Sequence, residues 1–313
     1  MELNSQVHSR SYLRLRLPAR LVFTRVATNK HASVKSITIR LIIATLLAPL
    51  LLSLCGCNPS GLSLHNHRIA TTTSYLESAA LDVLGEDQDV LRLAEPGTCP
   101  GHFDIRPSQA ADLRRCRALL RFDFQKSLDS VLDGQGTNQA FVVEVVIHGG
   151  LCQPESYLSA CRQIADAFIT HGLLAQTNAD ARLQVVAARL DTLAQQATNR
   201  VALAGLKGAP VIASVHQKEF CEWLGLKAVA TFRAADTSSV AEIDNAINAG
   251  KFAEIRLLIA NQPEGRRTAD ALADRLHARV AVFGNFPALA HGRVSFDDLL
   301  AGNVDALITA TQR

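Results

Sequence analysis

Aromatic residues are scarce, 5% of 313 positions, with a single tryptophan. Apolar residues still make up 48%. Alanine and leucine therefore carry the core, which suits helices packed on sheets better than a β-sandwich. Methionine occurs once, at Met1. No Gly-x-Ser-x-Gly elbow, phosphate loop, paired CxxC or HExxH motif is present, so the common hydrolase, nucleotide-binding and thiol-redox signatures are missing. A strong charge of either sign is missing too. The formal net charge is +3, but residues 1–56 hold eight of the 32 Lys and Arg and one of the 29 acids. The remainder has 24 bases against 28 acids, net −4, which leaves no nucleic-acid footprint.

A long hydrophobic run is also lacking. Residues 41–54 carry no charge, but the run is too short for a comfortable membrane span. It follows Lys35 and Arg40 and leads into Leu54-Cys-Gly-Cys57, which reads as a secretory signal. Leu-x-Gly-Cys resembles the bacterial lipobox, in which the cysteine is lipidated after cleavage. Cys57 is thus the expected lipid-bearing first residue, tethering the chain to a membrane that faces an oxidising space. An ordinary signal peptide or membrane anchor is the alternative. Residues 1–33 make an unusually long leader, which suggests a mis-called start with translation beginning at Val34. Residues 57–68 read as a lipid-anchored linker, in which His65-Asn-His67 is either solvated or a weak metal trap.

Beyond the linker the chain alternates strand and helix. Ile69–Thr73 reads as a strand, Ser74 to Leu84 as a helix capped by Ser74, and Asp89 to Leu93 as a strand. Next comes Pro96-Gly-Thr-Cys-Pro-Gly-His-Phe-Asp-Ile-Arg-Pro107, a glycine- and proline-rich turn presenting His102. A helix follows from Pro107 to about Ala118, then a strand over 119–124 and a short helix over 125–132. Phe141–Ile147 is the clearest buried strand. It ends in His148-Gly-Gly-Leu-Cys152, and Pro154 opens a helix to about His171. Ala179 to Leu206 keeps a three-four apolar spacing through Leu183, Val186, Leu190, Leu193, Ala197 and Val201, one face of a long helix.

The second half begins with strand Pro210–Val215, which delivers His216. Strands over 228–232, 255–260 and 279–283 alternate with helices over 217–225, 238–249, 268–276 and 297–309. The predicted class is α/β: two lobes, each a mostly parallel sheet flanked by helices, joined by one long rigid helix. The expected boundaries are residues 69–178, 179–206 and 207–313. Histidines 102, 148 and 216 each stand at a strand's carboxyl end, where open α/β sheets bind ligands. Imidazole suits zinc, and an added carboxylate moves preference towards manganese or iron. Asp104 either orients His102 or caps the helix at Pro107.

These segments together resemble the metal-binding solute-binding lipoproteins of ABC importers, the zinc/manganese group often called cluster A-I. Residues 96–107 are similar to that family's Pro-Gly-x-Asp-Pro-His-x-x-x-Pro-x-Pro loop. Gln153-Pro-Glu-Ser156 is similar to the end of its His-x-Trp-Leu-Asp-Pro-Glu-Asn segment. Val211-Ile-Ala-Ser-Val-His-Gln-Lys-Glu-Phe resembles its third ligand segment. The resemblance implies a divalent metal, zinc favoured over manganese, held between the lobes by His102, His148, His216 and Glu264, with Gln262 as the alternative to Glu264. The second segment departs from the family, whose histidine falls at about Gly149, with Leu151 and Gln153 in place of its Trp and Asp. The chain also lacks the long His-rich, Asp-rich insertion of some zinc importers. The implied partners are an ABC permease and its ATPase, and the implied state is monomeric. A zinc-dependent hydrolase with Glu264 as base, and an adhesin or interaction module with a degenerate site, are the rival readings.

Cysteines are the departure. In an exported protein the default is disulfides, here Cys99–Cys152 and Cys116–Cys161. Thiolate ligation by Cys99 or Cys152 is the rival. Cys221, beside Trp223, reads as a buried free thiol. Arg266 and Arg267 form either a docking patch or a solvated helix start.

Overall fold

A computed structural model describes residues 69–312 except 87, 98–104 and 133–139. Its first sheet holds β1 (Ile69–Thr71), β2 (Val90–Arg92), β3 (Ala118–Phe122) and β4 (Phe141–Val145). The strands are all parallel, in the order β2-β1-β3-β4. The connecting helices are α1 (Ser74–Leu84), α2 (Pro107–Leu113) and a 3-10 run over Asp123–Leu132. After β4 come α3 (Pro154–Thr170) and the long α4 (Gln176–Leu203).

The second sheet repeats the plan. It holds β5 (Pro210–Ser214), β6 (Lys227–Phe232), β7 (Leu257–Asn261) and β8 (Arg279–Phe283), parallel, in the order β6-β5-β7-β8. Its helices are α5 (Lys218–Trp223), α6 (Val240–Phe252), α7 (Arg267–Leu276) and α8 (Phe296–Gln312). A two-residue hairpin, β9 (Leu289–Ala290) with β10 (Arg293–Val294), precedes α8. Strands this short leave no periodic signal, and the sequence reading does not foresee them.

Local chemistry explains the ends. Thr73, not Ser74, caps α1. Its backbone is extended and its hydroxyl accepts from Leu76 N–H at 3.3 Å, while Ser74 is already helical. α4 begins three residues before the apolar periodicity does, because Gln176, Thr177 and Asn178 fill its first turn with polar groups. It ends where Gly205 adopts φ 71°, a left-handed turn that glycine takes without strain. At 28 residues it spans about 42 Å. α4 packs on α1 and α3 from the first half and on α8 from the second.

The main core is continuous across both sheets. Ile69, Leu120 and Phe122 enter it from the first sheet, and Val211, Ala213, Ile259 and Phe283 from the second. Tyr157 of α3 stacks on Phe296 of α8 with centroids 4.1 Å apart. Ser78 Oγ of α1 accepts the Phe296 N–H at 3.1 Å. Nearby, Arg189 of α4 binds Asp82 of α1 through two hydrogen bonds of 2.9 and 2.6 Å and lies 3.4 Å from Asp297 of α8.

The expected disulfide between Cys116 and Cys161 does not form; both are free and buried. Alternate residues of a strand point to opposite faces. Ala70 and Leu119 face a small cluster that holds Cys116. Ile69 and Leu120 face the main core that holds Cys161. The sheet itself lies between the two thiols. Cys152 is free as well. Its thiol donates to Gly284 O at 3.0 Å and accepts from Asn303 Nδ2 at 3.4 Å, so it pins the first half to the second by hydrogen bonds instead of serving a neighbouring loop. Cys99, its expected partner, lies outside the described residues, as do His102, Asp104 and Cys57. Cys221 is free and buried as expected. No helix among the described residues is long and apolar enough to cross a membrane.

Candidate metal site

In each sheet the chain moves from the first strand to one neighbour, then crosses to the other side. That reversal opens a crevice at the carboxyl ends, between β1 and β3 and between β5 and β7. The loops after β5 and β7 carry His216 and Glu264. β5 ends at Ser214, and a turn then presents His216. β7 ends at Asn261, and the 3-10 turn Gln262–Glu264 presents the carboxylate. Gly265 closes this turn at φ 74°.

Glu264 Oε1 lies 3.4 Å from His216 Nε2, and Oε2 accepts from Ser214 Oγ at 2.6 Å. Ser214 Oγ in turn accepts the His216 N–H at 3.3 Å. Burial pushes the Glu264 carboxyl up, but hydrogen bonds from His216, Ser214 and Asn261 outweigh it and hold it below the ordinary range. The hydrogen bond to Glu264 raises His216 against the opposing effect of burial. Imidazole and ionised carboxylate thus stand as a pre-aimed pair, one nitrogen and one oxygen donor for a divalent metal. The His216 side chain is 58% exposed and that of Glu264 19%. A cavity of 740 Å³ adjoins them, lined also by Arg233, Asp236, Arg266 and Arg267.

Behind the pair stand polar residues that the sequence reading passes over. Gln217 is fully buried, and its Nε2 donates to Asn261 Oδ1 at 3.1 Å and to Asn285 Oδ1 at 2.8 Å. Ser214, Asn261 and Gln217 all sit where an apolar strand runs out. That position, a polar side chain at the end of a buried strand, was the available signal.

Gln262, the alternative to Glu264, is exposed. A Cβ added at Gly97 would lie 3.9 Å from its Nε2, and one added at Gly284 would lie 3.3 Å from its Oε1. The turn that leads towards His102 therefore leaves the first half beside the Glu264 loop. His148 is exposed, and its carbonyl, not its ring, is tied down, by Ser156 Oγ at 3.0 Å. Its loop docks on α5: Gln153 Nε2 donates to Glu219 O at 3.0 Å, and a Cβ on Gly150 would lie 3.3 Å from Phe220 N. Among the described residues, no three His, Cys, Asp or Glu side chains gather as a metal cage. The structure brings together His216 and Glu264, and no third described donor, His148 included, completes a group with them.

Residues 69–310 match the family model of the periplasmic zinc-uptake complex component A, ZnuA. The chain belongs to the ZnuA family. As a member it is a periplasmic metal-binding component of the uptake type, and its family is one of transport proteins. Among solved structures, it is similar to the manganese-bound periplasmic metal-binding protein of Candidatus Liberibacter asiaticus, with TM-score 0.64 and 12% identity, over 77% of this chain and 98% of that one. The cadmium-bound form of that protein gives TM-score 0.65 at 11% identity, with the same coverage. A crystal structure of ZnuA gives 0.63 at 14%, again over 77% and 98%. At these identities the likeness establishes the shared α/β fold. No curated protein matches the chain.

Proposed function

We propose that this ZnuA-family protein captures a divalent transition metal, zinc in preference to manganese, and delivers it to an ABC permease with its ATPase. The observation that carries the reading is the His216–Glu264 pair at the crevice between β5 and β7, 3.4 Å apart and open to a cavity. His102 and His148 are the further proposed ligands, which follow β2 and β4 in the sequence. Residues 69–178 and 207–313 would form the lobes, with 179–206 as the stiff link that permits only small motion on binding. Zinc rests on the imidazole-rich donor set and on the family's description. The Liberibacter protein's manganese- and cadmium-bound forms are a reason to assay several ions together. A lipid on Cys57 would tether the protein to the membrane, and it would act as a monomer.

The test is elemental analysis of protein purified without added metal, compared with His216→Ala, Glu264→Ala and His102→Ala. Loss of a ligand should lower retained zinc at least about tenfold, by analogy with the cost of losing groups that support a metal. Unchanged metal content in His216→Ala and Glu264→Ala would overturn the assignment.

A further inference from the structure

Gln217 stands at the N-terminus of α5, next to His216, and is fully buried. Three oxygens converge on its Nε2: Asn261 Oδ1 at 3.1 Å, Asn285 Oδ1 at 2.8 Å and Gly284 O at 3.4 Å. Its own Oε1 has no partner among the described residues. The amide therefore has one orientation, because turning it over would set an oxygen against three oxygens. Asn261 ends β7 and leads into the turn that carries Glu264. Gly284 and Asn285 follow β8. One side chain thus ties the His216 turn to the Glu264 turn, and both to the loop after β8.

The junction reaches into the first half. Cys152 Sγ donates to Gly284 O at 3.0 Å and lies 3.6 Å from Asn285 Oδ1, two of the groups that hold Gln217. Asn303 of α8 braces them. It donates to Gly284 O at 3.0 Å and to Cys152 Sγ at 3.4 Å, and it accepts the Gly284 N–H at 2.8 Å. None of Gln217, Asn261, Asn285, Asn303 and Cys152 is more than 5% exposed. In so dry a setting hydrogen bonds strengthen one another and hold one arrangement. Cys152 also belongs to the loop that carries His148, four residues before it.

We infer that Gln217 and Cys152 are positioning residues that set metal specificity: through Asn261, Asn285 and Gly284 they hold the His216–Glu264 pair at one spacing, so the site selects ions by size. This rests on the metal-capture reading above. Selectivity between ions of equal charge depends on the size and rigidity of the site. Zinc and cadmium carry the same charge and filled d shells, which impose no geometry of their own, and cadmium is the larger ion. A rigid site built for zinc penalises the longer bonds of cadmium, and a loosened one does so less.

The experiment is dialysis of the metal-free protein against equal zinc and cadmium, with the bound ions counted by elemental analysis. The wild type should hold zinc in excess. Gln217→Leu and Cys152→Val keep most of the volume but not the bonds. Each should lower the bound zinc-to-cadmium ratio about tenfold, the lower end for losing a group that orients a ligand. Cys152→Ser keeps a donor and should restore most of the ratio. Cys161→Ala, in the main core away from the junction, should lower the melting temperature and leave the ratio unchanged. Melting curves show which variants fold, and either junction variant that folds decides the matter. An unchanged ratio in it overturns the inference and leaves the metal-capture reading standing. So does a wild type that holds the two ions equally, or a ratio that falls as far in Cys161→Ala. Cys152→Ser behaving like Cys152→Val overturns the role of the thiol's hydrogen bonds. A wild type that retains neither ion overturns the metal-capture reading as well.

Discussion

The two sheets have the same strand order, and so the same crevice, yet the described residues furnish the two crevices differently. Between β1 and β3, Thr72 Oγ1 donates to Gln125 Oε1 at 2.7 Å, and the same oxygen accepts the Phe122 N–H at 3.1 Å. Thr72 is 0% exposed and Gln125 3%. Both side chains are closed off from solvent. Between β5 and β7 the corresponding polar residues are His216 and Glu264, partly exposed beside a cavity. Topology sets where a ligand can bind in an α/β sheet. Whether it does depends on side chains that either close on themselves or keep donors free.

The comparison holds only if the two halves are fixed against each other, and the largest predicted effect tests this. Phe296 is 1% exposed and stacks on Tyr157. Phe296→Ala should cost about 3–5 kcal/mol, the usual loss for emptying a buried aromatic site. Urea denaturation checks it. A loss below about 1 kcal/mol would mean that the seam between α3 and α8 does not hold the halves together.

Breaking the contact between β1 and β3 comes next. Gln125→Ala leaves Thr72 Oγ1 and the Phe122 N–H without their bond to Gln125, at about 1–3 kcal/mol for a buried group left unsatisfied. Zinc retention should stay at the wild-type level, because neither Thr72 nor Gln125 is a proposed ligand. A loss of zinc in this variant would erase the distinction between the two crevices.

Much of this plan was legible in the sequence. The strand-helix alternation, the long helix and the placing of His216 at a strand end follow from periodicity and turn residues, while Glu264 follows from the family resemblance. The thiols were harder. Cys116 and Cys161 both read as helical residues of one half, and only the sheet order shows β1 and β3 standing between them. Cys152 reads as a loop residue near Cys99, whereas its real partners, Gly284 and Asn303, lie far along the chain. Contacts across such sequence distances leave no local pattern. The same reason hid Ser214, whose hydrogen bond to Glu264 spans fifty positions.

Ser214 sharpens the β5–β7 crevice with a smaller expected effect. Its hydroxyl aims Glu264 Oε2 and leaves Oε1 towards His216. Ser214→Ala should weaken zinc binding about tenfold, the lower end for losing a group that orients a ligand. Competition with a chromogenic chelator measures it. Unchanged affinity would show that Glu264 is aimed by backbone alone.

The smallest effect separates two carboxylates of opposite character. Glu264 is held low by its donors. Asp297, near the seam, is pushed up: burial dominates and Asp82 adds to it, against the lowering by Arg189. Folded Asp297 therefore keeps its proton to higher pH than the unfolded chain does, whose value is about 4. Where the folded state binds more protons, stability falls as pH rises. The stabilising contribution of protonated Asp297 is thus present below the unfolded value and is lost as pH climbs through the folded one. Asp297→Asn cannot titrate and should remove that downward slope. Arg189 would still hold Asp82 through two hydrogen bonds, so the fold should persist. Urea midpoints taken across this acid range should diverge between the two proteins, with the wild type losing ground to Asp297→Asn as pH rises. Parallel curves would show that water reaches Asp297 freely, and that the seam between the halves is looser than the β5–β7 crevice requires.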